Sequence, residues 1–467
     1  MRAFLVGIVI VILLGAGWFF GFREGPPSVT IVSPADRLGL AGELDVLVAT
    51  PGSLDRLDVR LEQSGQQFPL FSLPGDADST LTQEGAGQVR LKRAISARAL
   101  PQLKSGPARI VAHVERRVLF GLRVLEGDAA RDLTVSLEPP RVSVLSTHHY
   151  INHGGSEMVV YRATPADVES GVRVGDVEYP GFPAAGAGIP ATDPALRVAF
   201  FALLYDQDLA TPIEVFARDA VGNEAKSAFD FRVFPKPFRK STIPIDDRFL
   251  SRVVPAILQE TPDAGVADPA NLELAFLAIN GDLRRRNAES IAAYAAKTNP
   301  ALLWKGPFRQ MTNSQVESAF ADQRTYVYGG REIDRQVHLG YDLAVTSNVE
   351  VKAANAGVVI HASYLGIYGN CVIVDHGMGV QSLYAHLSSL AVKPGDRVER
   401  DQTLGRSGMT GLAGGDHLHF TMLVNGRMVT PVDWWSTQWV EDRILRKLRE
   451  AGATATPEAS AAATTKP

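Results

Sequence analysis

Cysteine is almost absent from this chain of 467 residues, which contains Cys371 alone. A single cysteine cannot form an intramolecular disulfide, and it cannot supply the several thiolates of a structural zinc cluster. Any transition-metal site must therefore use histidine and carboxylate ligands. Cys371 itself lies inside the apolar run CVIV and is predicted to be an ordinary buried strand residue.

The chain also lacks an excess of positive charge. It has 47 lysines and arginines against 51 aspartates and glutamates, a formal net charge of -4, and no long basic block. A nucleic-acid partner is therefore not expected. Apolar residues make up 45% of the sequence, too many for a mainly disordered chain. At about 150 residues per domain, the length predicts about three domains.

Long hydrophobic runs are lacking as well, with one exception. Residues 3–22 (AFLVGIVIVILLGAGWFFGF) are uncharged and almost entirely apolar, and Arg2 and Arg23 flank them. A helix formed by residues 3–22 would span about 30 Å, the hydrocarbon thickness of a bilayer. We therefore predict that residues 1–24 are a transmembrane signal anchor, with the rest of the chain outside the cytoplasm. A cleaved signal peptide is the alternative, although the apolar run continues past the small residues 15–17.

Two β modules are predicted to follow the anchor. Residues 25–139 carry short runs of alternating apolar and polar residues between prolines and glycines, a pattern typical of a β-sandwich. Pro139-Pro140 marks a boundary, and residues 140–237 are predicted to form a second β module. It ends in a readable hairpin, IEVFARDA and KSAFDFRVF around the turn VGNE. The pattern A-x-D-x-x-G-N in that hairpin resembles the end of bacterial immunoglobulin-like modules.

The remainder of the chain changes period twice. Apolar residues recur at helical spacing in residues 238–303, and Asp268-Pro269 is a typical helix start, so we predict a helical connector there. Residues 304–440 return to strand patterns and are predicted to form an antiparallel β-sheet domain. Residues 441–467 are predicted to be a helix end followed by a disordered tail, because the last residues are small and polar. The predicted fold class is therefore multidomain and mainly β.

Histidine is concentrated near the end of the chain, where six of the ten histidines lie within residues 338–419. We interpret VHLGYDLAV as a strand, and on a strand His338 and Asp342 share a face because they are four residues apart. In DHLHFTMLV the same parity places His417 and His419 on one face. Chemistry-bearing side chains thus recur on strand faces in this part of the chain.

A third segment, SLYAHL, places Tyr384 and His386 on one face by the same rule. The simplest fold that joins these faces is a small antiparallel sheet with one polar groove. A hydrolytic zinc site needs three protein ligands and an open position for water, and further histidines can move a proton and stabilise an oxyanion. The sequence offers this inventory: His338, Asp342 and His419 as ligands, with His386 and His417 left over.

These segments resemble the lysostaphin-type (LytM-domain) zinc metallopeptidases, which cut peptidoglycan cross-bridges. The resemblance follows the family's order over about 120 residues, in SAFxxxR at 318–324, HLGYD at 338–342, YAHL at 384–387, VKPGDRVERDQTLGRSGMTG at 392–411, GDHLHF at 415–420 and PVDWW at 431–435. The chain departs from the family at Ala321-Asp322, where a glycine usually follows the phenylalanine, and at Asp416, where proline or a small residue is common.

The resemblance implies a Zn²⁺ site made by His338, Asp342 and His419, with His386 and His417 acting on the water and the scissile carbonyl. It implies a zinc metalloendopeptidase that hydrolyses peptide cross-links of bacterial peptidoglycan in cell-wall remodelling or division. The expected partners are peptidoglycan peptide stems as the substrate, the inner membrane, and a regulator in the envelope or the divisome. The expected location is the cell envelope, with the chain anchored once in the cytoplasmic membrane and its catalytic domain in the periplasm.

Other interpretations remain open. Some relatives of the family have lost metal ligands and activate cell-wall amidases, whereas the ligand set here is complete. A structural, adhesin-like rod would account for the β modules but not for the histidine cluster. The connector could also fold over the groove and inhibit the enzyme. The group HHYINH at residues 148–153 looks metal-like but is predicted to be a solvated loop.

Overall fold

The structure, a computed structural model, describes most of the chain, namely residues 25–76, 81–85, 87–344 and 346–453. These residues form a mainly β protein with few helices, as the alternating patterns predict. They divide into two compact units. The first lies within Met1–Pro140 and Arg218–Ala225, and the second within Arg141–Ala217 and Lys226–Pro467.

The predicted membrane anchor at residues 3–22 and the end of the predicted tail lie outside the described residues. Among the residues that are described, no helix has both the length and the apolar character needed to cross a membrane.

The first unit contains two sheets with strand orders β1-β3-β7-β6 and β2-β9-β8-β4-β5. Their apolar side chains, such as Val46 and Leu61, share one buried core. The strands are β1 (Ser28–Ser33), β2 (Arg37–Leu38), β3 (Ala41–Ala49), β4 (Arg56–Gln63), β5 (Gln66–Leu73), β6 (Leu81–Gln83), β7 (Gln88–Ser96), β8 (Gly106–Val118) and β9 (Arg123–Val135).

The next part of the chain, up to Phe234, forms sheets with orders β10-β12-β16-β15, β14-β13-β17-β18 and β11-β19. The predicted turn falls between β17 and β18, where the Oδ1 atom of Asp219 accepts hydrogen bonds from the backbone N–H groups of Val221 and Asn223. The strands are β10 (Arg141–Val144), β11 (His149–Asn152), β12 (Ser156–Thr164), β13 (Glu169–Val174), β14 (Val177–Pro180), β15 (Phe182–Pro183), β16 (Leu196–Ala202), β17 (Ile213–Arg218), β18 (Glu224–Ala228) and β19 (Phe231–Phe234).

A large antiparallel sheet in the second unit has the order β21-β24-β32-β28-β27-β26-β30, and β33 pairs with β32. Smaller sheets have the orders β20-β22-β23 and β25-β31-β29. The strands are β20 (Lys240–Ile245), β21 (Gln315–Ser318), β22 (Asp322–Tyr328), β23 (Arg331–His338), β24 (Tyr341–Ala344), β25 (Glu350–Lys352), β26 (Gly357–Tyr364), β27 (Asn370–Gly377), β28 (Val380–Leu387), β29 (Ser389–Leu390), β30 (Arg397–Val398), β31 (Thr403–Arg406), β32 (His417–Val424) and β33 (Arg427–Val429).

The predicted helical connector is helical only in part. Residues Lys240–Ile245 form β20, which pairs in parallel with β22. Lys240 stands opposite Gln323 at one end of this pairing, and Ile245 stands opposite Tyr328 at the other. The run KSTIPI is too short to show a strand period against the helical pattern that follows it. The helices of this unit are α1 (Asp247–Glu260), α2 (Leu272–Ala278), α3 (Arg284–Ala293), α4 (Val432–Trp435), α5 (Thr437–Val440) and α6 (Arg446–Glu450).

The helix start predicted at Asp268-Pro269 lies three residues too early. Helix α2 is capped by Asn271, whose Oδ1 atom accepts a hydrogen bond from the backbone N–H of Leu274 at 3.1 Å. Asn is as good a helix cap as Asp, so cap preference alone does not decide between Asp268 and Asn271. A π-helical turn, Ile279–Leu283, joins α2 directly to α3.

The large sheet separates two apolar cores. Leu418 and Phe420 of β32 belong to the core that also contains Trp434. Leu423 of the same strand belongs to the other core, which includes Phe276 of α2. The connector helices therefore cover the sheet face toward which the odd-numbered residues of β32 point.

A fully buried ion pair joins β12 to α6 within the second unit. Lys447 Nζ lies 2.8 Å from Glu157 Oε1 and also donates a hydrogen bond to the carbonyl of Met158 at 2.9 Å. Glu157 accepts further hydrogen bonds from the backbone N–H groups of Tyr150 and Met158. Burial raises the pKa of Glu157 and lowers the pKa of Lys447. Each of the two buried charges is therefore stabilised only by the presence of the other.

Replacing Lys447 by methionine is expected to destabilise the second unit by about 3–5 kcal/mol, because the Glu157 carboxylate is then left buried without a cation. The double variant Glu157→Gln/Lys447→Met is expected to lose less stability than Lys447→Met alone. The amide introduced at position 157 carries no charge that needs a cation. Urea unfolding followed by tryptophan fluorescence measures both variants. Arg446→Met, at a half-exposed site on the same helix, is the control and should cost less than about 1 kcal/mol. Equal losses in Lys447→Met and Arg446→Met would contradict the expectation.

Candidate metal centre and active site

The three side chains predicted as metal ligands lie together, with one potential ligand atom from each within 4.8 Å of the others. His338 Nε2 lies 2.9 Å from Asp342 Oδ1 and 2.9 Å from His419 Nδ1. His419 Nδ1 is 3.1 Å from the same carboxylate oxygen. All three residues are buried. Two imidazoles and one carboxylate in this arrangement form a donor set that suits a divalent transition metal ion.

The backbone brings these residues together differently from the prediction. His338 and Asp342 do not share a strand, because His338 ends β23 and Asp342 lies in β24 after a break at Leu339-Gly340. Asp342 pairs directly with His419 across β24 and β32. A Cβ atom on Gly340 would lie 2.5 Å from both Cε1 and Nε2 of His419. Only glycine therefore leaves room for the His419 imidazole at this break.

The hydrogen bonds around the cluster leave lone pairs free for a metal ion. His338 Nδ1 lies 3.2 Å from the carbonyl oxygen of Ala319, so a proton at Nδ1 leaves the Nε2 lone pair facing Asp342. His419 directs Nδ1 at the cluster, whereas its buried Nε2 has no hydrogen-bond partner in the structure. Burial lowers the pKa of His419 to about 4, so this imidazole is neutral. The residues present therefore fit a bound divalent metal ion.

Arg324 fixes the orientation of the Asp342 carboxylate. Its Nη2 atom donates a hydrogen bond of 2.8 Å to Asp342 Oδ2, which leaves Oδ1 for the histidines. Burial alone would raise the pKa of Asp342, but the histidines that face its carboxylate, first of all His338 and then His417 and His419, hold that pKa well below its ordinary value. No role was predicted for Arg324, although this residue ends the motif SAFxxxR.

His386 and His417 lie beside the cluster, with ring centroids 4.8 Å apart. His386 Nδ1 is 2.8 Å from the carbonyl oxygen of Thr410, and His417 Nδ1 is 2.9 Å from that of Gly415. Both imidazoles are therefore held at Nδ1 and present Nε2 to the site. The His417 Nε2 atom lies 3.4 Å from Asp342 Oδ1.

The two imidazoles have opposite electrostatic environments. Burial and the neighbouring His417 and His419 lower the pKa of His386 well below its ordinary value. Burial would also lower the pKa of His417, but the hydrogen bond and the charge of Asp342 outweigh it and raise that pKa.

The prediction that Tyr384 and His386 share a face is wrong. Tyr384 stands opposite Phe420, packs on its ring at 5.3 Å and accepts a hydrogen bond from the backbone N–H of Ala354. His386 has φ of +63° at a register shift between β27 and β28, an extra residue that turns its side chain to the opposite face. The bulge therefore places His386 beside His417 and His419.

Residues 336–431 match the sequence model of Peptidase family M23. These residues form an M23-type domain. The DD-carboxypeptidase/endopeptidase Mpg of Neisseria meningitidis serogroup B is 38% identical over 97 residues, which are 21% of this chain and 22% of the relative. The peptidoglycan DD-endopeptidase ShyA of Vibrio cholerae serotype O1 is 39% identical over 92 residues, 20% of this chain and 21% of the relative. The chain thus covers about a fifth of the length of these curated relatives.

A crystal structure from Pseudomonas aeruginosa that is assigned to peptidase M23 is also similar. It is 22% identical, with a TM-score of 0.37, and the similarity covers 61% of this chain and 94% of that chain. The family assignment rests on the sequence matches, and they confirm the resemblance to LytM-type peptidases.

The candidate centre of the M23 domain opens into a cavity of about 460 Å³. All five candidate residues line it, together with Arg324, Tyr326 and Tyr368. The connector contributes Ile243 from β20 and Arg284 and Ala288 from α3. The connector is therefore part of the wall of this cavity, and its inhibitory role stays a prediction.

Histidines outside the M23 domain do not gather in the same way, and the described residues contain no second group of three or more metal-ligand side chains. His149 is buried on β11 and contacts Ser146 Oγ and the carbonyl oxygen of Asp230, so a solvated loop is the wrong description for it. Cys371 is a buried, free cysteine on β27, as predicted, and burial raises its pKa.

Proposed function

We propose that this protein is a zinc metalloendopeptidase that hydrolyses peptide cross-links of bacterial peptidoglycan. One observation carries the proposal: His338, Asp342 and His419 converge at a cavity into which two further imidazoles direct Nε2. The family match and the names of the relatives from Neisseria and Vibrio support the substrate. A complete ligand set favours an enzyme over a non-catalytic activator of an amidase.

In this proposal His338, Asp342 and His419 hold Zn²⁺, which when bound supplies Lewis acidity to the peptide carbonyl and to water. Arg324 keeps the Asp342 carboxylate in position through Oδ2. His386 and His417 carry out the proton chemistry at Nε2, because a backbone carbonyl fixes Nδ1 in each. One of them accepts a proton from water, and the other donates a hydrogen bond to the developing oxyanion.

We also propose a place for the enzyme in the cell envelope. Residues 1–24 would anchor the chain in the cytoplasmic membrane, and the modules at 25–139 and 140–237 would act as spacers. The connector at 238–303 would present the domain at 304–440 to the wall, where an envelope or divisome regulator could reach it. The support is the apolar run at residues 3–22 together with a substrate that lies outside the cytoplasm.

Hydrolysis of purified sacculi tests the proposal. The metal-loaded full chain is expected to release soluble muropeptides with cleaved cross-links, a chelator should abolish the release, and added Zn²⁺ should restore it. Mass analysis of the new ends identifies the bond that is cut. Stoichiometric zinc without any release of muropeptides would instead favour the amidase activator, which an amidase added to the same sacculi would reveal.

A further inference from the structure

The hairpin that joins β8 to β9 in the first unit ends in an apolar loop. This loop, residues 119–122, has the sequence LFGL and is called the hairpin tip below. Phe120 is fully exposed, Leu122 is 88% exposed, and the neighbouring Val124 is 43% exposed. Single exposed apolar residues are common on protein surfaces, whereas a group of large ones marks an interaction surface. The hairpin tip is therefore a candidate interaction surface.

The hairpin extends past the sheet that carries it. The pairing of β4 with β8 ends where Arg56 stands opposite Glu115. Beyond that point β8 and β9 pair with each other as far as Val118 and Arg123. Among the described residues, no third strand continues the sheet there. The tip therefore stands at the free end of a two-stranded ribbon.

The backbone of the hairpin tip suits other residues than those it carries. Leu119 and Phe120 have φ of +55° and +59°, in the left-handed region that bulky side chains rarely adopt. Glycine, asparagine or aspartate would occupy such a turn with less strain. Strain of this kind is typical of residues that serve a function. The apolar side chains thus occupy the tip at a conformational cost that the hairpin itself does not require.

Basic side chains flank the apolar tip. Residues 116–125, RRVLFGLRVL, contain three arginines and no aspartate or glutamate. Arg117 is exposed, and it is the backbone N–H of this residue that donates a hydrogen bond to Asp55 Oδ2, at 2.6 Å. Apolar side chains next to basic ones are typical of segments that bind the surface of an anionic membrane. The charge of the hairpin therefore complements anionic lipids.

The described chain starts at the same end of the first unit. A Cβ atom on Gly127 of β9 would collide with the carbonyl oxygen of Pro27. Further along, Arg131 Nη1 donates a hydrogen bond to the carbonyl oxygen of Val32 at 3.3 Å. β1 therefore runs beside β9 in the same direction, and the chain followed backwards from Pro27 heads toward the hairpin tip. Arg123, where β9 begins, precedes Gly127 by about 13 Å of strand.

We propose that the hairpin tip docks on the surface of an anionic phospholipid membrane. Phe120 and Leu122 enter the interfacial region, and Arg117 lies beside the lipid phosphates. The inference goes beyond the proposed function and does not depend on peptidase activity. The apolar run at residues 3–22, the predicted anchor, precedes Pro27 by a few residues, so it supports docking of the tip on the membrane that holds the anchor. Docking gives the first unit a second attachment to that membrane.

A fluorescent probe at the hairpin tip tests the proposal. The full chain with Leu122→Cys, labelled with a polarity-sensitive fluorophore, is incorporated into vesicles of phosphatidylethanolamine and phosphatidylglycerol. Its emission is expected to shift to shorter wavelength, and lipids brominated in the upper acyl chain should quench it, because interfacial side chains lie about 5–10 Å deep. Cys371 is fully buried, and the unsubstituted chain treated with the same reagent is the labelling blank.

The same label at Ser64→Cys is the positional control. Ser64 is exposed and follows β4, at the end of the sheet opposite the hairpin tip. A probe there should keep the emission of a water-exposed group and should not be quenched. An unquenched probe at position 122, or equal quenching at positions 64 and 122, would overturn the proposal.

Substitutions in the labelled Leu122→Cys chain measure the two contributions. Phe120→Ser is expected to lower the ratio of docked to undocked tips about 10- to 100-fold, because one phenylalanine side chain is no longer buried. Arg117→Gln should lower the ratio about fivefold with these anionic lipids and leave it unchanged with phosphatidylcholine. Arg98→Gln, at an exposed arginine that follows β7, is the control and should keep the ratio. An unchanged ratio in Phe120→Ser would contradict the proposal.

Two further readouts separate the remaining outcomes. A shift to shorter wavelength without lipid quenching, growing with protein concentration, would assign the hairpin tip to a second copy of the chain and overturn membrane docking. Hydrolysis of a soluble cross-linked peptide should be equal in the wild type and Phe120→Ser, because Phe120 lies outside the M23 match. Docking without hydrolysis of that peptide would keep the membrane contact and count against the peptidase alone.

Discussion

Replacing His338 by alanine is expected to remove both the bound zinc and the hydrolysis of sacculi. His338 Nε2 lies 2.9 Å from both other candidate ligand atoms, so its loss leaves one carboxylate and one imidazole. A catalytic zinc site depends on three protein ligands, and two hold the ion too weakly to keep it through dialysis. We expect less than about a tenth of the wild-type zinc content and hydrolysis reduced to background, at least about 10³-fold. Metal analysis of the dialysed chain and muropeptide release measure the two effects.

His148→Ala is the matched control for this experiment. His148 is an exposed histidine of the same unit, lies outside the candidate site, and should keep both the zinc content and the activity of the wild type. Thermal unfolding shows whether either variant loses its fold. Zinc retained by a folded His338→Ala variant would refute the assignment of His338 as a ligand, and hydrolysis that persists in a folded, zinc-free variant would refute the dependence on zinc.

The local patterns that predicted a mainly β chain worked where strands are regular. In β32 the alternation of His417, Leu418, His419 and Phe420 is preserved, so the parity rule placed the two histidines on one face and the apolar residues on the other. The family resemblance then assigned the segments that the M23 match covers. The period-two rule is reliable here because the pairing of β32 with β24 and with β28 has no register shift.

The same rule failed where the backbone departs from a regular strand. His386 lies between the buried residues Ala385 and Leu387, so no apolar pattern marks the bulge that turns it. The break at Gly340 is set by the space that the His419 ring needs, a contact between residues far apart in sequence. The place of Arg284 beside the cavity depends on how the connector packs on the sheet. Long-range packing of this kind has no local signature.

His386 offers the prediction that separates proton chemistry from metal binding. Replacing His386 by alanine is expected to lower kcat by about 10²–10⁴-fold while the zinc content stays at the wild-type level. The imidazole lies beside the cluster, and its Nδ1 is already bound to the carbonyl oxygen of Thr410, so it contributes only Nε2 to the site. The measurements are kcat on a cross-linked peptide and zinc per chain, for His386→Ala and His338→Ala in parallel.

The two variants should therefore differ in one measurement and agree in the other. His338→Ala should lose zinc and hydrolysis together, whereas His386→Ala should lose hydrolysis alone. Added Zn²⁺ should not rescue His386→Ala, because the missing group is an acceptor or donor for a proton and not a ligand. Loss of zinc from a folded His386→Ala variant would make His386 part of the ligand set, and unchanged kcat would remove it from the chemistry. The first result would mean that the assigned ligand set is incomplete. The second would leave His417 as the only one of the two additional imidazoles available for proton transfer.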